Sequence, residues 1–168
     1  MRRGIDVALT QLDVVEATGR NDGVPAERYT KESGAAWCAA FVIWCNAHSD
    51  EQLVAPTSQD FWEMRSVAAF EKMMRQRGWL HSMDELPRRG DYIFFGNRDG
   101  SDVSPTGRHM GIVEDLQRSP PASPIHPLLR TVEGNVGNRV QRVVHDLSSP
   151  KTRARMTGWA RVPLKVQP

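Results

Sequence analysis

Cysteine is scarce in this chain of 168 residues: there are two, Cys38 and Cys45, seven positions apart. On one helix that spacing separates them by ~10 Å along the axis, too far for a disulfide. Without a Cys-x-x-Cys pair, the chain has neither a disulfide framework nor a structural zinc signature. No apolar run approaches the ~20 residues that span a bilayer, so no membrane insertion is expected. Met1-Arg2-Arg3-Gly4-Ile5-Asp6 has two arginines but no secretory apolar core behind them. The expectation is a protein made in the cytoplasm that leaves it by another route, or not at all. There is no nucleic-acid motif and no run of aromatics interleaved with arginine, so nucleic acid is not an expected partner.

The remainder is ordinary for a globular protein, with 39% hydrophobic and 25% charged residues. The length fits one domain with a proper core, read as residues 1–168. The net charge of +2 is uneven. From Arg139 onward seven Lys/Arg face one acid, Asp146, giving +6 there and −4 on the first 138 residues. A solvated face of strands accounts for such a run, and an anionic partner such as a cell-wall polymer is the other reading.

Hydrophobic spacing predicts a helix over 5–18, ended by Gly19 and the turn signal Asn21-Asp22-Gly23. A short segment follows at Tyr29–Lys31, then a helix over 37–48. A third helix runs from Ser58 or Asp60 to about Arg77, stopped by Gly78. The texture then changes. Strands are predicted at 92–95, 109–114, 130–133, 140–144 and 158–162, with polar or Pro-rich loops at 96–107 and 119–124. Helices first and consecutive strands after them indicate an α+β fold, a helical layer on an antiparallel sheet.

The chain is organised around Trp37-Cys38-Ala39-Ala40-Phe41-Val42-Ile43-Trp44-Cys45. Cys38, Phe41, Val42 and Cys45 share one helical face. A thiol in a first helical turn lies at the positive end of the helix dipole, which favours thiolate and hence a nucleophile. Taken alone, Cys38 also reads as a small buried core residue. A nucleophile needs a base, and the base an orienting acceptor. Of five histidines, His48 lies ten residues along the same helix, His81 follows Gly78, His126 is flanked by prolines and His145 ends a strand. His109 opens a strand, and Gly111, two residues on, leaves room for a substrate on its face. Glu133-Gly134-Asn135 places a carboxylate and an amide on one face of a strand.

Gly34, Trp37-Cys38-Ala39-Ala40-Phe41-Val42, Trp44-Cys45, Gly90-Asp91-x-Ile93-x-Phe95, His109-x-Gly111-Ile112-Val113 and Val132-Glu133-Gly134-Asn135 occur in that order. So does the lead-in of Glu16, Gly19, Asn21 and Tyr29. Together, over residues 12–162, they resemble the CHAP family of the NlpC/P60 superfamily. The resemblance implies a papain-like α+β fold and a cysteine amidase or endopeptidase, usually acting on peptidoglycan. It implies Cys38 as nucleophile, His109 as base, Glu133 as orienting acid and Asn135 as an additional polar residue. Trp37, Tyr29 and Gly111 are expected on the substrate side, and the Cys38 N–H in an oxyanion hole. Some relatives bind calcium in an acid-rich loop before the cysteine. Only Asp22 and Glu27 stand there, so neither calcium nor any other metal or cofactor is expected. A bare catalytic domain without a wall-binding repeat suits a phage lysin or, the favoured setting, an antibacterial effector injected into a rival's periplasm, for instance by type VI secretion. An immunity protein or a secretion-machinery component would then be a partner. A papain-like acyltransferase or deamidase toxin acting on a protein, or a non-catalytic wall-binding module, are the competing readings.

Overall fold

A computed structural model describes residues 2–50, 65–96, 108–117 and 127–163. Among the described residues four helices precede the sheet: α1 (Gly4–Leu9), α2 (Gly23–Thr30), α3 (Cys38–Ala47) and α4 (Val67–Gln76). Then come β1 (Leu80–His81), β2 (Tyr92–Phe95), β3 (His109–Gln117), β4 (Leu128–Val136), β5 (Arg139–Asp146), a helix α5 (Pro150–Arg155) and β6 (Met156–Ala160). The strands form one six-stranded sheet in the order β1-β6-β2-β3-β4-β5, with every pairing antiparallel. The α+β class with an antiparallel sheet is as the chain order implies. Among the described residues no helix is long and apolar enough to cross a membrane.

Apolar side chains cover both faces of this sheet. Tyr92, Phe94, Met110, Ile112, Val132 and Val140 pack with α1 and α3 on one side. Ile93, Phe95, Val113, Leu129, Leu147, Met156 and Trp159 form a second cluster. All four residues of β2 are buried, so this strand reads as a continuous apolar run rather than an alternating one.

The helix α3 is buried on nearly every side, which its sequence of Ala, Phe, Val and Ile allows. Its one buried amide is satisfied at both ends. Asn46 Nδ2 donates to the Val42 carbonyl at 2.8 Å, and Asn46 Oδ1 accepts from the Tyr92 hydroxyl at 2.7 Å. Gly134 of β4 sits directly against the start of α3. A Cβ there would come within 2.7 Å of Phe41 Cβ and 2.9 Å of Trp37 Cζ3. Gly134→Ala is therefore expected to cost about 1–3 kcal/mol through overpacking. Differential scanning calorimetry would register this as a lower melting temperature, and an unchanged one would refute the close packing.

Three expected elements differ. The helix expected over 5–18 stops at Leu9. Residues 13–16 instead run along β5, where the Asp13 N–H donates to Val140 O, the Val140 N–H to Val14 O and the Glu16 N–H to Asn138 O. Covering a sheet edge satisfies more backbone than a surface helix of modest propensity would, and Asp13 takes a left-handed φ of 66° at the turn. The turn at Asn21-Asp22-Gly23 is the entrance to α2, which absorbs Tyr29; Lys31, with φ of 60°, is the cap that ends it. Of the helix expected from Ser58 or Asp60 to about Arg77, the described part is α4, which starts after Ser66; that residue is extended and caps α4 by accepting from the Ala69 N–H. Residues 58–64, His126 and both long loops lie outside the described residues. The short β1 and α5 had no predicted counterpart.

Candidate active site

Cys38 opens α3, and no side chain caps that helix. Trp37, the residue before it, is fully buried. Its indole N–H donates to Glu16 Oε2 at 3.0 Å, and its ring stacks on Tyr29 at 5.5 Å. Tyr29 is equally buried and touches Phe41 and Trp44 edge-on. Tyr29 and Trp37 thus support the nucleophile from beneath and present no surface to a substrate. Cys45 is fully enclosed, and burial pushes its thiol well above the ordinary range. Both cysteines are free.

His109 sits at the first position of β3, opposite Phe95 of β2. Arg108 just before it donates to the buried carboxylate of Glu71 on α4 at 2.5 Å, which fixes where the strand begins. The Nε2 of His109 lies 2.8 Å from Glu133 Oε2. An ionised carboxylate only accepts, so Nε2 carries the proton and Nδ1 is left over, and Cys38 is near enough to the imidazole to raise its pKa. The site is therefore a chain: Cys38, His109, Glu133. Burial alone would lower the His109 pKa, but the bonds to Cys38 and Glu133 and their charges outweigh it and push the imidazole up to about 10. Burial of Glu133 would raise its pKa, and the two imidazoles it bonds bring it down to about 2.

No family model matches this chain, and no curated protein matches it.

What the site can do follows from its own chemistry. A thiol and an imidazole whose other nitrogen is anchored to a buried carboxylate form a nucleophile–base pair suited to acyl transfer. The space beside Gly111 is taken up by Glu133: a Cβ there would lie 2.5 Å from Glu133 Cγ. Gly111 thus makes room for the orienting acid rather than for a substrate. Asn135 has a left-handed φ of 61°, and the β4–β5 register shifts between Glu133 and Val136. The alternation expected to put Glu133 and Asn135 on one face is broken there. The Asn135 amide donates to Asn21 Oδ1 at 2.8 Å, tying β4 to the segment before α2.

His145 is the residue that sequence reasoning passed over. Its Nε2 lies 2.8 Å from Glu133 Oε1, which also accepts from the Thr131 hydroxyl at 2.5 Å. Glu133 thus bridges two imidazoles, one at the thiol and one behind. The signal was faint: a polar residue alternating with Val143 on β5, two strands from His109. His48 bonds the Trp44 carbonyl and stacks on its ring, and His81 stacks on Trp159, so both are occupied elsewhere. Asp22 accepts from the Thr18 amide and hydroxyl, and Glu27 from the Gly23 amide. Among the described residues no group of three or more His, Cys, Asp or Glu is arranged to hold a metal.

His145 bonds Glu133 and not the thiol, so its expected part is to position that carboxylate. His145→Asn is expected to lower kcat roughly 10-fold, the size of one lost bond to a charged group (about 1.5 kcal/mol). Steady-state kinetics would check it; a rise in KM alone would assign His145 to substrate binding.

Proposed function

We propose that the protein is a papain-like cysteine hydrolase that cleaves an amide or peptide bond of the cell-wall peptide. The observation that carries this reading is the Cys38–His109–Glu133 chain at the start of a buried helix. Its support from sequence is the resemblance of the motifs around those three residues to CHAP peptidoglycan hydrolases.

In the proposed reaction the raised His109 pKa leaves the proton shared with Cys38 on Nδ1, so a thiolate stands beside an imidazolium before substrate arrives. The thiolate attacks the carbonyl carbon, and the Cys38 backbone N–H donates to the resulting oxyanion. The C–N bond breaks as Nδ1–H protonates the departing amine, which leaves an acyl thioester. Nδ1 then takes a proton from water, the hydroxide adds to the thioester carbonyl, and the C–S bond breaks to return the thiol and release an acid. Glu133 holds the Nε2–H throughout, so only Nδ1 exchanges protons. Buried Trp37, Tyr29 and Phe41 keep the thiol at the helix start.

Mass spectrometry of muropeptides after digestion of purified walls tests the reading and separates amidase from endopeptidase cleavage. New amine and acid termini made by the wild type, and absent with Cys38→Ala, are expected. Intact walls with both proteins would refute it. Injection into a rival's periplasm remains the favoured setting, and toxicity confined to periplasm-directed expression would be its mark.

A further inference from the structure

The five residues Phe95, His145, Lys151, Thr152 and Arg155 line a pocket of about 110 Å³. It lies on the His109 side of the sheet: the Phe95 ring is 5.9 Å from the His109 ring and 4.9 Å from that of His145. We propose that this pocket is a subsite for a carboxylate of the substrate peptide. The proposal deepens the hydrolase reading and rests on it.

Three observations converge. The first is the charge of the lining, which holds two cations and no acid. Lys151 and Arg155 have no side-chain partner among the described residues, and α5, which carries both, contains no acid. Two cations held on one helix beside a concavity, with no internal anion, suit an anion from outside.

The second is the state of His145, whose side chain is only 16% exposed. Its Nε2 is committed to Glu133 and Thr131. Those bonds fix the ring as one wall of the pocket, and Lys151 and Arg155 supply its donors. The third is scale. The pocket has ample room for a carboxylate group. Two ring contacts separate it from His109, a span that ~2–3 extended residues cover at ~3.4 Å each. The chemistry that fits is a peptide with a free carboxylate two or three residues from the bond that is cut.

The test uses the inactive Cys38→Ala protein and two synthetic wall stem peptides, alike except that one has free and the other amidated carboxylates. Isothermal titration at low salt is expected to show the free acid binding about 10-fold tighter. Lys151→Glu with Arg155→Glu should bring that ratio close to one while the circular dichroism melt stays cooperative. Equal binding of the two peptides by the Cys38→Ala protein overturns the subsite, as does a preference that survives charge reversal. Cleavage by the wild type is read in parallel. Cleavage without a carboxylate preference refutes the subsite alone. A carboxylate preference without cleavage refutes the hydrolase and leaves an anion site.

Discussion

Cys38→Ala is expected to lower the rate of wall cleavage by at least ~10³-fold, with a melting temperature within a few degrees of the wild type. Removal of a nucleophile that acts in concert with its base costs ~10⁴–10⁶ in enzymes of this logic. Cys45 cannot stand in. It is fully enclosed, and burial holds its thiol well above the ordinary range. Stability should change little, because Cys38 is small and stands at the exposed rim of the core, 8% accessible. Alkylation by iodoacetamide separates the two thiols directly. One modification, at Cys38, is expected on the folded protein, and modification at Cys45 as well only after unfolding. An alanine variant that still lyses walls would remove the assignment.

Glu133→Gln should cost nearly as much activity, roughly 10⁴-fold, for a different reason. The carboxylate accepts from His109, His145 and Thr131 at once. An amide has one accepting and one donating end, so one imidazole loses its acceptor and is driven to the wrong tautomer. The same change is expected to destabilise the fold by about 3 kcal/mol, near the lower end for breaking a buried pair. Its pH dependence is specific. The Glu133 pKa is depressed from 4.5 to about 2, so its stabilisation is present above 4.5 and lost as the pH falls toward 2. The His109 pKa is raised from 6.5 to about 10, so its stabilisation is present below 6.5 and lost as the pH rises toward 10. The His109–Glu133 part of the two shifts is one interaction and is counted once, while the Cys38 part of the His109 shift is common to both proteins. Paired urea melts of wild type and Glu133→Gln should therefore differ most between about pH 4.5 and 6.5, with the gap closing on both sides. A difference independent of pH would mean that Glu133 does not carry charge in the fold.

The strands and α3 were legible because their signals are dense. Tyr92-Ile93-Phe94-Phe95 is apolar at every position, and Cys38 to Cys45 is apolar around the whole helix. The first helix was over-read for the opposite reason. Residues 13–16 have a usable apolar stripe, but a stripe says nothing of the sheet edge at Val140 that claims their backbone. Cys38, His109 and Glu133 could be placed by motif. The part Gly111 plays could not, since an absent side chain does not say what fills its space. His145 was missed because its role depends on register: the pairing Leu129↔His145 brings it beside Thr131 and Glu133, and register is a property of two strands together.

The position of β6 has a consequence for how the protein is made. Met156–Ala160 lies between β1 and β2, so the ladder beside Tyr92–Phe95 is completed by a strand that follows β3, β4 and β5 in the chain. Until then the most apolar strand of the protein offers an open hydrogen-bonding edge, the kind that pairs with other nascent chains. Truncation before Met156 should yield aggregate rather than a weakened enzyme. The order of synthesis also delays the Cys38–His109–Glu133 arrangement: His109 and Glu133 are held by a sheet that closes only once β6 has been made.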